Sequence, residues 1–440
     1  MLDNYLRNFN ENISGLREFI ELIEPFLDQH LKEAEKEREI ISKGFDLAKD
    51  VALEKDEEKK NYIQEQLKQL LNGDLIIASE IDKEQVKKDN KDLSIEQIPD
   101  FIYSVPKSLH PRIDSSLENV YKISHQKHQL LKSSLISLLS TVEWFFSQVL
   151  HFYYDKYPDS AGIKKKTLSL ENLKTFGDIK DAEKFLIDQK IEEIFRGGFE
   201  SWLSILKDEI KIKSELAYRQ KDELIEIYQR RNLLVHNGGV VNSIYLTKVP
   251  ESLRENVKIG DELEVTKEYL ENSICKIHLV FTLIASEIWK KIEKKSETRE
   301  EILNDIVYSN LLENRWDIAG GISEAIFKDR DNASAHRTVA QLNSWLCIKR
   351  EGKYDSISKE INEVDYSDKA LKFQMGLWGL KEDKKKFFSN LESSIKTDEL
   401  TVENVLEFPI FEEMRKTEEF EKFRKESDVF KEMINIEEKE

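Results

Sequence analysis

The sequence predicts an all-α protein, on three observations. The 440 residues include only 7 prolines and 15 glycines. No proline occurs in 26–98, 159–249 or 251–408, so long segments lack the residue that interrupts helices. These segments are rich in Glu, Lys, Leu and Ile, and their apolar residues recur at three- and four-residue spacing. A hydrophobic content of 39%, with 10% aromatic and 35% charged residues, is enough for more than one buried core and excludes collagenous, low-complexity and wholly disordered chains.

The first element carries Leu2, Leu6, Phe9, Ile13, Leu16, Ile20 and Ile23, a coiled-coil seam expected to stop at Pro25. A highly charged stretch follows from Gln29 to about Leu71, with Ile40, Ile41, Phe45, Leu47 and Val51 on its apolar side and Asn72-Gly73-Asp74 at its end. A helical hairpin is the simplest reading of the N-terminal region, 1–105. Whether its seam pairs within the chain or with a second copy is open. Lys83 to Asp100, which contains Lys87-Lys88-Asp89-Asn90-Lys91-Asp92 and ends at Pro99, reads as a polar connection.

A second helical block is expected over 115–294, with long helical patterns at Ala182–Arg196 and Ser201–His236. Gly238-Gly239 interrupts it, and the runs Ile244-Tyr245-Leu246 and Ile259 to Val265 predict a small β insertion between Val240 and Thr266. The charge run Lys290–Glu301 closes the block. Beyond it, in 302–440, residues 34 apart match: Asp331 with Asp365, Leu346 with Leu380, Tyr354 with Phe388, Ile357 with Leu391, and Ile361 with Ile395. Ala319, Ile322 and Ile326 match Tyr354, Ile357 and Ile361 at an offset of 35. Helix-turn-helix repeats are expected, resembling a degenerate tetratricopeptide array, although any two-helix unit of this length would match equally well.

Ser133–Tyr154 is long enough to cross a bilayer. Its Ser133, Ser134, Ser137, Ser140, Thr141, Glu143, Ser147, Gln148 and His151 argue for a helix buried in protein instead, so no membrane association is expected. Met1–Asn10 lacks a basic start followed by an apolar block, and Cys275 and Cys347 have no cysteine neighbours, which together predict a cytoplasmic protein. The formal charge of −18 argues against a surface that coats nucleic acid but leaves room for a local basic cleft. No phosphate-cradling glycine loop and no nucleophile elbow occurs, so no cofactor is expected. His125 and His128 lack the acids or thiols that would complete a metal site, and no metal is expected.

The chemistry-bearing stretch is Tyr228-Gln229-Arg230-Arg231-Asn232-Leu233-Leu234-Val235-His236-Asn237-Gly238-Gly239. On a helix Asn232 and His236 share a face, and Arg231, about 140° from His236, must reach round to join them. Histidine side chains titrate near neutrality, and arginine offers a planar fork for phosphate. Glu143, a lone carboxylate among Leu138, Leu139, Val142, Trp144, Phe145 and Phe146, either pairs with Arg231 or lies on the wet edge of its helix. Arg231 could instead pair with Glu223 or Glu226, and His236 could serve only as a helix end. Arg230 is a candidate phosphate contact or part of a solvated face. Lys164-Lys165-Lys166, with Lys207, Lys211, Lys213, Arg219 and Lys221, adds positive charge.

Arg231-Asn232, three further residues and His236 near a helix end resemble the motif of HEPN domains, small helical modules that include many prokaryotic ribonucleases of toxin and antiviral systems. The likeness covers roughly Ser115–Lys294 and takes in Gly238-Gly239, Tyr245-Leu246, Gly260-Asp261 and the amphipathic segment Lys267–Lys291. It implies a HEPN-type helical bundle and metal-independent endonucleolytic cleavage of RNA, in which the 2′-hydroxyl attacks the phosphate. In that scheme His236 is the acid or base, Arg231 holds the phosphate and stabilises its charge, and Asn232 orients either group. The resemblance further implies a homodimer with a composite active site, and a regulated toxin or defence effector restrained by a protein partner or antitoxin. Many HEPN domains lack activity, so a non-catalytic adaptor or RNA-binding scaffold is the competing expectation.

Overall fold

The computed structural model describes residues 1–89, 94–254, 256–427 and 429–430. The fold is all-α. The strands among the described residues are two short ones, Ile77–Glu80 (β1) and Phe101–Ser104 (β2). The chain forms two compact units, Arg17–Ser134 and Met1–Leu16 with Leu135–Glu440. This division differs from the expected segments 1–105, 115–294 and 302–440, because two helices run longer than the sequence suggests.

The first of these, α1, spans Leu2–Leu53 and contains Pro25. Its buried positions, Leu2, Leu6, Phe9, Ile13, Arg17, Ile20, Glu24 and Leu27, carry one seam past the proline. The burial on both sides outweighs the roughly 3 kcal/mol cost of an interior proline, so the expected break does not occur. Leu16 and Ile23 lie only half-buried at the edge of the seam, and Arg17 and Glu24 take the central positions. The chain turns instead at 54–56, where Asp56 caps α2 (Glu57–Leu70) by accepting from the amides of Glu58 and Lys59. Asn72 and Gly73, both at positive φ, end it.

In the unit Arg17–Ser134, β1 pairs antiparallel with β2, with Ile77 opposite Ser104 and Glu80 opposite Phe101. Helix α3 (Lys83–Asp89) lies between the strands in sequence. Part of the polar run noted there, 90–93, falls outside the described residues. Helix α4 (His110–Lys156) is the second long helix. Lys127 meets Glu24 at 3.1 Å and Asp28 at 2.6 Å, and Arg112 pairs with Glu37, so α4 runs antiparallel to α1 within this unit. Ala48, Leu67, Leu71, Ile76, Ala78 and Leu109 form its core.

In the other unit α5 (Leu170–Thr175), α6 (Ile179–Arg196) and α7 (Gly198–Ile205) lead through a π-helical turn, Leu206–Ile210, to α8 (Glu215–Arg219) and α9 (Lys221–His236). Helix α10 (Ser243–Lys248) and α11 (Lys267–Ile292) follow. Trp202 lies at the centre of the core, with ring centroids 4.8–5.9 Å from Phe195, Phe146, Tyr228 and Phe281. Phe145 stacks on Phe9 at 4.1 Å. The apolar side of Ser133–Tyr154 is therefore packed on protein, with Leu135, Leu138, Leu139, Val142, Val149 and Leu150 all buried.

Among the described residues, the small β insertion expected over Val240–Thr266 does not form. Asn242 caps α10 by accepting from the amide of Tyr245, and this capping signal overrides the apparent strand alternation of Ile244-Tyr245-Leu246. A single antiparallel bridge, Val240 with Glu262, remains. Tyr245 is buried with Leu233, Val241, Val249 and Leu263.

The C-terminal helices are α12 (Glu297–Leu312), α13 (Trp316–Lys328), α14 (Ser334–Arg350), α15 (Ser358–Glu363), α16 (Leu371–Lys381) and α17 (Lys384–Lys396); α13 packs most extensively on α14, α12 packs on α13, and α16 on α17. Of the residues at the 34- and 35-residue offsets, Ile322 is buried in α13, Ile357 just before α15 and Leu391 in α17, whereas Tyr354 lies in a short turn ahead of α15 and its match Phe388 lies within α17. The turns after α12, α14 and α16 each close through one residue at positive φ, Asn314, Gly352 and Glu382. Helices α18 (Val402–Glu407), α19 (Glu412–Arg415) and α20 (Glu418–Glu426) pack onto the last pair around Phe387, Phe411 and Phe420. Helices α12 to α17 share a unit with α11, and α13 approaches α11 closely at Gly321, where a Cβ would lie 2.7 Å from Leu279. The last ten residues assigned to the array lie outside the described residues.

Trp202→Ala should lower the unfolding free energy by about 3–5 kcal/mol. Trp144→Ala, at a residue half exposed to solvent, should change it by less than about 0.5 kcal/mol; urea denaturation compares the two.

Candidate functional site

Helix α9 carries the motif. Leu224, Ile225, Glu226, Ile227, Tyr228, Leu233 and Leu234 are buried, so the helix is enclosed on several sides and its rotation is fixed. It ends where Gly239 donates its amide to Leu233 at 3.0 Å. Gly238 and Gly239 have φ of 64° and 93°, and a Cβ at Gly239 would stand 3.3 Å from the carbonyl oxygen of Leu263. The glycine pair thus turns the chain sharply after His236 and lets it run against 260–263, where Leu263 donates to Gly239 and Val241 to Asp261.

The structure brings three of the five named side chains together. Arg231 donates through Nη2 to Glu143 Oε2 and through Nη1 to Asn232 Oδ1, each at 3.3 Å. Glu143, on α4, thus takes the partner role that the sequence left open, and Glu223 and Glu226 do not: they pair with Lys276 and Arg230. His236 lies at the exposed C-terminal end of α9. Its ring makes no hydrogen bond or ion pair to the described residues. Burial raises the Glu143 carboxyl above its ordinary range, against the opposing pull of Arg231. The Tyr228 hydroxyl is pushed far up by burial and then by Glu143, and it has no hydrogen-bond partner among the described residues.

Arg230 is placed differently from one of its two sequence readings. It is not part of a solvated face, because its guanidinium is engaged within the protein. Its Nε donates to Glu226 Oε1 at 2.7 Å, its Nη1 to the carbonyl of Glu264 at 2.8 Å, and its guanidinium covers the Tyr269 ring at 4.0 Å. Glu226 is 5% exposed and also accepts from the hydroxyls of Tyr245 at 2.9 Å and Tyr269 at 2.6 Å. The reason is angular: successive residues on a helix point about 100° apart, so Arg230 faces α10 and α11 when Arg231 faces α4. Sequence reasoning missed this network. Its signal was Glu226 set between Ile225 and Ile227, a carboxylate in an apolar run that requires partners.

Of the basic residues, Lys164 pairs with Asp159 at 2.6 Å and Lys166 with Glu193 at 2.9 Å, while Lys207, Lys211, Lys213 and Arg219 are exposed. Among the described residues no three His, Cys, Asp or Glu side chains gather as a metal site. Cys347 is buried, and burial pushes its thiol up to about 12, which makes it a poor nucleophile. Comparison with protein-family models, curated proteins and solved structures gives no match to this chain.

Two outcomes follow from this geometry. Glu226→Leu leaves the Arg230 charge buried without its carboxylate and should destabilise the protein by about 3–5 kcal/mol in urea denaturation. The folded pKa of Glu143 lies above its unfolded value, so its ionisation costs stability. Wild type and Glu143→Gln should be equally stable below the unfolded carboxyl pKa of about 4.3, and wild type should fall behind the variant as pH rises through the folded value, read from denaturation midpoints across that range.

Proposed function

We propose that the protein is a metal-independent endoribonuclease of HEPN type, acting in the cytoplasm as a regulated toxin or defence effector. The observation that carries this reading is a guanidinium held by two acceptors, Glu143 and Asn232, on the helix whose exposed end presents His236. Arginine offers five N–H donors, so Arg231 keeps donors for a phosphate oxygen beyond the two it uses here. RNA supplies the nucleophile in its own 2′-hydroxyl, and the protein supplies a proton acceptor or donor and a cation for the developing charge. His236 takes the first task and Arg231 the second, with Asn232 and Glu143 as positioning residues.

The reading includes a homodimer whose two motifs form one composite site. Exposed apolar residues flank the motif side chains in sequence: Trp144 beside Glu143, Val235 beside His236, then Val240 and Ile244. Such residues are what a covering partner would bury. The helices of 297–396 would serve as a surface for a restraining protein or antitoxin, as helical repeats commonly do. The competing reading, a non-catalytic adaptor or scaffold, is favoured by the formal charge of −18 and by the loss of Arg230 to an internal ion pair.

RNA incubated with wild type in EDTA should be cut to products with 2′,3′-cyclic or 3′-phosphate ends. His236→Ala and Arg231→Ala should each lower the rate by about 10²–10⁴-fold. Intact RNA together with equal growth of cells expressing wild type and His236→Ala would favour the adaptor.

A further inference from the structure

A second site lies on the side of α9 that bears Arg230. A cavity of about 610 Å³ opens between α9, residues 252–254, 257 and 263–264, and the first turns of α11, within the range typical of small-molecule pockets, roughly 300–1,000 Å³. Ile227, Leu253, Val257 and Leu263 give it an apolar wall. Its charged groups are Glu223, Glu226, Arg230, Arg254, Glu264 and Lys276. Four of these cancel in pairs: Arg230 with Glu226 at 2.7 Å and Lys276 with Glu223 at 3.1 Å. Glu264 gives its carbonyl to Arg230 and is itself exposed to solvent. Arg254 remains. Its Nε is shut off from water and has no hydrogen-bond partner among the described residues, a cost that protein interiors rarely leave standing. Asn272 and Ser252 add neutral hydrogen-bonding groups to the lining.

We propose that this cavity binds a small organic oxyanion, its phosphate or carboxylate group on Arg254 and its apolar body against Ile227, Leu253, Val257 and Leu263. A charge-assisted bond to the outer nitrogens of the guanidinium compensates a cation that has no ion-pair partner among the described residues, and the volume left beyond one acid group has room for an apolar body. The inference stands apart from the ribonuclease reading, since it uses none of Glu143, Arg231, Asn232 or His236.

Calorimetric titration of the full chain at fixed ionic strength with phenyl phosphate, benzoate and phenol tests it. At least one of the two anions should bind saturably with a Kd on the order of 1 mM, phenol at least about tenfold more weakly, and Arg254→Met should weaken the anion by about tenfold. The tighter of phenyl phosphate and benzoate identifies the acid group. Hydrogen exchange of the wild type, which needs no variant, should slow within 245–276 on adding that anion. Absence of saturable binding by both anions, an unchanged Kd in Arg254→Met, or protection confined to other segments would each overturn the proposal.

Discussion

The motif region depends on one buried ion pair, Glu226 with Arg230. A carboxylate this deeply buried is tolerated only when its oxygens are occupied, and Glu226 accepts three hydrogen bonds, from Arg230, Tyr245 and Tyr269. Those donors come from three helices, and Arg230 extends the reach to the Glu264 carbonyl. The pair thereby fixes α9 against α10, α11 and the chain before α11. Once α9 is locked on that side, the direction of every other residue on it is set, including Arg231.

The two adjacent arginines consequently do different work. Arg230 is spent internally, its charge neutralised and its plane laid on Tyr269. Arg231 is aimed at α4, where Glu143 meets it. Exchanging either for lysine would lose the fork that lets one side chain serve two acceptors. The glycine pair after His236 completes the arrangement. Gly239, at positive φ and with no Cβ to crowd the Leu263 carbonyl, lets the chain return close against 260–263, and this return delivers Tyr245 to Glu226.

Much of the fold was legible because its signals are local. Helical character and the end of α2 at Asn72-Gly73 rest on proline scarcity, capping residues and apolar spacing. The errors arose where tertiary burial overrode a local rule. Pro25 lies inside α1 because the seam continues to Leu27 on the same buried side. Val240–Thr266 reads as strands by alternation, but Asn242 caps a helix and Tyr245 is drawn inward. At the candidate site, the Glu143–Arg231 partnership, which joins residues 88 apart, was one of two readings the sequence left open for Glu143, since a carboxylate in an apolar run can pair or stay at the wet edge. The choice between Arg230 and Arg231 was not visible. It is set by which side of α9 meets α11, a rotation that periodicity leaves undefined on a helix buried on several sides.

That rotation bears on how such a site could be restrained. Glu143 occupies one edge of the Arg231 guanidinium, the same kind of edge a phosphate would use in a bidentate grip. Ionising Glu143 in its half-buried position is unfavourable on its own and is offset only by Arg231. A phosphate arriving at Arg231 therefore competes with a carboxylate that has no better partner to turn to, and the competition is settled by whether Arg231 can hold both or must release one. With Nε buried and unpartnered among the described residues, the guanidinium cannot swing freely to present a second edge. On the proposed ribonuclease reading, binding of a phosphate at this geometry requires either that it take the outer donors while Glu143 stays in place or that α4 and α9 shift relative to one another. A protein partner acting on α4 would thus reach Arg231 through a single hydrogen bond.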